Sequence, residues 1–151
     1  MQSVEPLTWS KRNVPLSERF NDIYFSNSGG VEEVKYVFLK GNGLPECWLD
    51  KKGQFLIGET GFGTGLNFFV TWKLWRENSL PGCDLVYHSV ERYPLTIEQI
   101  ARSISQWPEL NPFHEQFKDQ YISLGDTSKF ISLDDGNVSL KILIGDATNM
   151  L

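Results

Sequence analysis

Residues 54–65 read Gln54-Phe55-Leu56-Ile57-Gly58-Glu59-Thr60-Gly61-Phe62-Gly63-Thr64-Gly65, and this stretch decides the fold. Its apolar start, Phe55–Gly58, is typical of a buried parallel strand. Alternating glycines follow at once, and residues 66–77 then carry apolar side chains around most of a helix. A strand, a glycine-rich turn and a helix in this order predict the first unit of a doubly wound α/β sheet.

The alternation of strand and helix continues towards the C-terminus. A second strand is predicted at Leu85–Val90 and ends at Glu91. Thr96 with Gln99 three residues later is a capping-box pattern, which predicts that a helix begins there. Further on, three aromatic residues spaced by four are expected to share one helix face: Phe113, Phe117 and Tyr121.

A hairpin is predicted near the end of the chain. Phe130–Leu133 and Val138–Ile144 flank the turn Asp134-Asp135-Gly136-Asn137, and the second of these strands runs into Gly145-Asp146. We therefore expect three strands plus a hairpin arm, where a complete sheet of this kind holds about five to seven strands. The predicted fold class is a Rossmann-like α/β fold, represented by the first half of its sheet.

Upstream of the glycine loop the pattern is weaker. Val31, Val34 and Phe38 recur near helical spacing, and Gly41 and Gly43 offer a stop, so a helix over about 31–40 is predicted. The alternation of Val34, Tyr36 and Phe38 also fits a strand. We expect residues 1–53 to form an N-terminal extension that packs on the domain formed by residues 54–151.

Composition limits the class of protein. The chain has 151 residues, 40% of them hydrophobic, with a net charge of −5, which predicts one folded domain without an overall basic surface for nucleic acid. The first 30 residues lack the apolar core of a signal peptide, and no apolar run is long enough for a membrane span. Two cysteines and two histidines predict neither a disulfide framework nor a zinc site, so we expect a reduced, cytoplasmic protein.

The chemistry of the glycine loop points to an anionic ligand group. Glycine tolerates a left-handed backbone, and its missing Cβ leaves room for a ligand. The start of the following helix adds free N–H groups and a partial positive charge, which favour a carboxylate or a phosphate.

Three nucleotide-binding motifs compete for this loop. A dinucleotide fingerprint starting at Gly61 would need its third glycine at Leu66, and no P-loop lysine is present. An acidic residue two positions before the first glycine, Glu59, fits the loop of S-adenosylmethionine-dependent methyltransferases, whose cofactor carries a carboxylate. The alternative is a turn that only packs a helix tightly on a strand.

Two further acids stand where such sheets bind ligands. Glu91 follows the second strand, where a carboxylate can accept both ribose hydroxyls, although a solvated glutamate paired with Arg92 is the alternative. Asp146 follows the third strand and can accept the adenine amino group, or it caps the next helix. The sequence leaves both choices open.

Longer strings resemble the methyltransferase domain of the MnmC family. The matching segments are Asp22–Ser26, Tyr36–Asn42, Glu59–Phe68, Glu91–Leu95, Trp107–Leu110 and Gly145-Asp146. The resemblance extends over about residues 6–151. It implies a Rossmann-like S-adenosylmethionine-dependent methyltransferase that acts on the wobble uridine of tRNA, where it methylates a 5-aminomethyl group to form 5-methylaminomethyl-2-thiouridine. FAD is implied only where a C-terminal oxidase domain accompanies this one.

The resemblance also implies site residues. The expected cofactor-binding residues are Glu59, Thr60, Gly61, Phe62, Gly63, Thr64, Gly65, Asn67, Glu91 and Asp146. Glu59 and the loop would hold the methionine part, Glu91 the ribose and Asp146 the adenine, and Tyr24 and Asn42 would line the site. No metal is expected.

One departure from the family pattern affects activity. The family's strand ending in Asp-Gly-Phe, whose aspartate faces the amine, would follow Leu151, so we assign no catalytic residue and expect this fragment alone to be inactive. Two alternatives stay open: a small-molecule amine methyltransferase, and a non-catalytic fragment that binds cofactor or dimerises through an exposed sheet edge.

Overall fold

The structure is a computed structural model that describes residues 4–26, 29–122 and 128–150. The N-terminal part forms a small antiparallel sheet of β1 (Leu7–Trp9), β2 (Pro15–Ser17) and β3 (Asp22–Ile23). The buried Glu5 carboxylate anchors this sheet, since it accepts hydrogen bonds from the Ser17 hydroxyl at 2.7 Å and the Arg19 guanidinium at 2.9 Å.

The central sheet has four strands among the described residues: β4 (Gln54–Thr60), β5 (Asp84–Glu91), β6 (Lys129–Leu133) and β7 (Val138–Ile144). Their order across the sheet is β4-β5-β7-β6, with β4, β5 and β7 parallel and β6 antiparallel to β7. Because the parallel strands end at the same edge of the sheet, the residues that follow them come together there.

Helices connect and cover these strands. The regular helices are α1 (Gly30–Glu33), α2 (Glu46–Leu49), α3 (Leu66–Asn78), α4 (Ile97–Ile104), α5 (Asn111–Ile122) and α6 (Ala147–Met150). The chain continues from α1 into a π-helical segment at Val34–Leu39 and a 3₁₀ turn at Lys40–Asn42. Further 3₁₀ turns form at Pro108–Leu110 and Asp134–Gly136. No helix within the described ranges has the length and apolar character needed to cross a membrane.

The hydrophobic core lies on one face of the central sheet, under α3 and α5. Phe68 of α3 packs edge-on against Tyr87 of β5 with ring centroids 5.1 Å apart, and Phe69 meets Phe117 of α5 at 5.2 Å. Since side chains alternate along a strand, the neighbours of these core residues point to the opposite face. There Leu56 is 63% exposed and Phe130 66% exposed.

The two edges of the sheet differ. Along β6, the side chain of Gln120 accepts a hydrogen bond from the Ser132 N–H at 3.0 Å and donates one to the Ser132 carbonyl at 2.7 Å. One helical turn earlier, the Gln116 side chain accepts a hydrogen bond from the Asp134 N–H and donates one to the Asp134 carboxylate. These side-chain amides bond outward-facing backbone groups along β6, as a further strand would. The strand at the opposite edge of the sheet is β4.

Most predicted elements are confirmed. The helix preferred over a strand for residues 31–40 forms between Gly30 and Asn42 and ends at Gly43, which has a left-handed φ of 67°. Thr96 and Gln99 form the predicted capping box, and the three aromatic residues of α5 are buried on one face. The topology is that of a Rossmann-like α/β fold.

Candidate functional site

Left-handed glycines shape the loop between β4 and α3. Gly61, Gly63 and Gly65 have φ values of 82°, 54° and 75°, a region that side chains with a Cβ rarely enter. Gly65 serves as the N-cap of α3. A Cβ on Gly65 would lie 2.9 Å from the Phe62 ring, whereas one on Gly61 would meet nothing within 4 Å. The loop therefore needs Gly65 for packing and leaves open space at Gly61.

Two cavities adjoin this loop, and both include Tyr24, Gly61 and Gly63. The first cavity, of about 420 Å³, lies between the loop and the helical segment 30–42. Its other lining residues are Phe25, Gly30, Glu33, Val34, Val37, Phe38, Asn42, Phe62, Thr64, Leu66 and Asn67. The second cavity, of about 330 Å³, is completed by Ser17, Phe20, Asp22, Ile23, Glu91 and Tyr93.

Tyr24 lies where the two cavities meet. Its Cδ1 is 3.1 Å from the position that a Cβ on Gly63 would take, so the ring rests on the loop backbone. Each cavity has a volume typical of small-molecule sites. Residues upstream of the central sheet, between Ser17 and Asn42, thus supply part of the wall of each cavity.

Glu91 ends β5 and lies across the glycine loop. Its Oε2 accepts a hydrogen bond from the Gly63 N–H and its Oε1 accepts one from the Tyr93 N–H, both at 2.8 Å. The expected alternative pairing with Arg92 does not form, because Arg92 donates to Asp146 at 2.8 Å instead. The Glu91 carboxylate is therefore fixed beside the loop and faces the second cavity.

Glu59 is bound from three sides beneath the loop. Its Oε2 accepts hydrogen bonds from the Tyr87 hydroxyl at 2.6 Å and the Asn67 amide at 3.4 Å, and its Oε1 accepts one from the Ser89 hydroxyl at 3.0 Å. Burial raises the pKa of the Glu59 carboxyl to about 7 although these donors lower it, and the nearby Glu91 adds to the rise. Glu59 itself lines neither cavity, whereas its partner Asn67 lines the first.

Asp146 follows β7 and caps α6. Its Oδ1 accepts hydrogen bonds from the Thr148 hydroxyl at 2.7 Å and the Thr148 N–H at 3.0 Å, which lower the pKa of this carboxyl. This is the cap arrangement that the sequence left open as the alternative. Asp146 lines neither of the two cavities.

The remaining predicted site residues divide into two groups. Phe62, Thr64 and Asn67 line the first cavity together with the resemblance-based Tyr24 and Asn42. Thr60, at the exposed end of β4, lines neither cavity.

The residues that sequence reasoning missed come from the N-terminal part and from the end of β5. Glu33, Val34, Val37 and Phe38 lie on the first cavity, and Tyr93 lies on the second. The helical period at 31–38 predicts a helix without indicating a ligand site, and the family-like string Tyr36–Asn42 includes only Val37 and Phe38 of this group.

The side chains that commonly bind metals are dispersed in the part of the chain that the structure describes. Within the described residues, no three or more His, Cys, Asp or Glu side chains are grouped so as to hold an ion. Cys47 and Cys83 are free thiols.

Comparison with known proteins identifies relatives of the whole chain. The tRNA 5-methylaminomethyl-2-thiouridine biosynthesis bifunctional protein MnmC of Pseudomonas savastanoi pv. phaseolicola is 42% identical over 147 residues, which cover 96% of this chain and 22% of the relative. The MnmC protein of Pseudomonas fluorescens is 40% identical with the same coverage. No protein-family model matches the chain.

A solved structure supports the fold. The crystal structure of MNMC2 from Aquifex aeolicus matches with a TM-score of 0.68 at 22% identity, over 98% of this chain and 45% of that one. The chain spans about a fifth of the length of the curated relatives it matches. The resemblance to MnmC is confirmed: the chain is a homologue of one portion of the MnmC tRNA-modification proteins.

Proposed function

We propose that this chain is the S-adenosylmethionine-binding part of a methyltransferase that modifies the wobble uridine of tRNA. One observation carries the proposal: the glycine loop joins two cavities that suit opposite ends of this cofactor. Gly61 lies on both cavities with open space at its Cβ position, so a ligand can pass close to the backbone there. The cofactor fits the residues present.

The first cavity suits the methionine end of the cofactor. It includes the beginning of α3, a helix of 13 residues whose first N–H groups and partial positive charge stabilise a carboxylate. Asn67, in the first turn of α3, connects this wall to the Glu59 carboxylate, which would attract the cofactor's ammonium group.

The second cavity suits the adenosine end. Glu91 faces it with a carboxylate whose unused lone pairs can accept ribose hydroxyls, and Tyr93 and Phe20 offer aromatic surface. Asp146 is proposed for the adenine amino group, which would replace Arg92 at its Oδ2 atom. Thr60, Thr64 and Phe62 complete the proposed loop contacts.

The proposed reaction is transfer of a methyl group to the 5-aminomethyl nitrogen of the uridine. The cofactor supplies an electrophilic methyl carbon on its sulfonium sulfur. The contribution of this chain is to bind and orient the cofactor, which accelerates transfer mainly through positioning. We propose tRNA as the partner and the cytoplasm as the location, and FAD as a cofactor only of proteins in which an oxidase domain is also present.

Calorimetric titration tests the proposal directly. We expect S-adenosylmethionine and S-adenosylhomocysteine to bind, and NAD and ATP not to bind, because the loop has neither the third dinucleotide glycine nor a P-loop lysine. Gly63→Val should abolish binding, because the added side chain presses on the Tyr24 ring, 3.1 Å from the Cβ position, and strains the left-handed backbone of the loop. Equal affinity of parent and variant would refute the site. Labelled methyl transfer to aminomethyl-modified tRNA, compared with a small amine, separates the tRNA substrate from the small-molecule alternative.

A second candidate function is self-association of a non-catalytic fragment. The observation that favours it is the position of β4 as an outer strand, in contrast to the other outer strand, β6, whose Ser132 backbone groups bond the Gln120 amide. An unprotected strand edge pairs readily with another chain. Sedimentation velocity on the purified chain tests this candidate, and a monomer over the micromolar range would eliminate it.

A further inference from the structure

Two hydroxyl groups of β5 fix the carboxylate at the end of β4. Glu59 lies opposite Ser89 and Ile57 opposite Tyr87 in the parallel register, so all three polar side chains share one face of the sheet. Tyr87 and Ser89 are 0% and 1% exposed. Since both donors are held by the sheet and the packed core, the position of the carboxylate between them is fixed as well.

One hydrogen bond links the bound carboxylate to the wall of the first cavity. Asn67 lines that cavity and donates its amide to Glu59 at 3.4 Å. A carboxylate removed from water is unfavourable unless hydrogen bonds compensate it, and bonds to an ionised acceptor are the stronger kind. Tyr87 and Ser89 supply that compensation at 2.6 Å and 3.0 Å.

We infer that Tyr87 and Ser89 are positioning residues, which hold Glu59 as a carboxylate towards the ammonium end of a cofactor in the first cavity. This inference rests on the proposed function. It adds a dependence of cofactor affinity on protonation, because a cation gains little from a neutral carboxyl group.

The groups around Glu59 determine where this dependence falls. Burial raises the pKa of the Glu59 carboxyl to about 7, and the charge of Glu91, also on β5, contributes in the same direction. Burial and the Glu59 charge raise the pKa of Tyr87 well above its ordinary value, so this hydroxyl keeps its proton and remains a donor. Asn67 of α3 and Ser89 do not titrate. Cofactor affinity should therefore rise as the pH increases through about 7.

The test is calorimetric titration with S-adenosylhomocysteine at pH 6, 7 and 8 for the parent chain and three variants. With one proton to lose at a pKa near 7, the parent should bind roughly tenfold more weakly at pH 6 than at pH 8. Tyr87→Phe removes a donor to the charged form and should move the midpoint up by about one pH unit. Ser89→Ala should shift it in the same direction, and Glu59→Gln should remove the dependence. The ligand's own amine titrates equally in all four experiments.

A merely structural role for Tyr87 would lower affinity equally at every pH and leave the midpoint unchanged. An unchanged midpoint in both Tyr87→Phe and Ser89→Ala overturns the inference while leaving the proposed function intact. Absence of binding at every pH refutes the proposed function instead. In that case carbon-13 NMR titration of the Glu59 carboxyl in the free chain still decides: the same titration in parent and Tyr87→Phe overturns the positioning role.

Discussion

Alanine substitutions at three glycines separate the packing role of the loop from its role in binding. Gly61 and Gly65 both have left-handed φ values, 82° and 75°, where alanine is strained by roughly 1–2 kcal/mol. Only at Gly65 does the added Cβ also collide, at 2.9 Å from the Phe62 ring and 3.0 Å from the Phe69 ring. Both rings are buried and cannot move freely, so overpacking adds about 1–3 kcal/mol.

Gly58 is the matched control. It lies in β4, three positions before Gly61, its φ is not left-handed, and a Cβ there meets nothing within 4 Å. Alanine at position 58 should therefore leave stability within about 1 kcal/mol of the parent. We expect losses of about 1–2 kcal/mol for Gly61→Ala and about 2–5 kcal/mol for Gly65→Ala.

Binding should follow a different order from stability. Gly61 lies on both cavities and Gly58 on neither, so Gly61→Ala should weaken S-adenosylmethionine binding at least tenfold while Gly58→Ala binds as the parent does. Urea unfolding gives the stabilities and calorimetry gives the affinities. If Gly65→Ala is no less stable than Gly61→Ala, the packing argument is wrong. If Gly61→Ala and Gly58→Ala bind equally, the ligand does not pass the loop at Gly61.

Four further outcomes are expected. Glu91→Ala should weaken cofactor binding about 10–150-fold by calorimetry, and parental affinity would exclude the ribose role. Glu59→Gln should raise the free energy of unfolding at pH 8 by up to about 2 kcal/mol. The pKa of Glu59 is about 7 in the folded chain and 4.5 ordinarily, so folding takes up a proton between these pH values. The stability of the parent therefore falls as the pH rises from 4.5 to 7, and the glutamine variant avoids this loss. No gain at pH 8 would contradict the burial of this carboxyl. Asp134→Ala should destabilise the chain by about 2 kcal/mol in urea, because the Trp72 indole loses its acceptor at 2.7 Å, while Asp134→Asn keeps an acceptor and should lose less. Leu56→Lys should reduce self-association in sedimentation velocity, and an unchanged dimer would exclude β4 as the pairing edge.

Local patterns were sufficient for the elements around the glycine loop. The apolar run at Phe55–Gly58, the capping box at Thr96 and the turn after Leu133 each depend on neighbouring residues, and each formed as predicted. The helix at 31–40 was ambiguous because contacts at its start come from residues far apart in the sequence. One of them is the close approach of Gly30 to Trp107, where an added Cβ would lie 2.9 Å from the ring.

The geometry of the site depends on contacts of the same long-range kind. Glu91 reaches the Gly63 amide across 28 positions, and Tyr24 rests on Gly63 from the N-terminal part of the chain. Sequence reasoning placed Glu91 and Asp146 at the ends of neighbouring strands, and the carboxyl ends of parallel strands meet at one edge of the sheet. It did not show that Glu59 bonds β5 hydroxyls beneath the loop, since that contact requires the register of β4 against β5.

The two edges of the sheet determine where anything further attaches. Gln120 occupies the outer hydrogen-bonding groups of β6 at Ser132, and Gln116 accepts from the Asp134 N–H just after the strand, so another strand would have to displace these amides. β4 is the outer strand on the other side, and it leads directly into Gly61 on both cavities. A polypeptide segment that pairs with β4 would therefore lie next to the loop and form part of the wall around a bound ligand. Pairing at β4 and ligand binding at the loop should accordingly affect each other, and pairing at β6 should not.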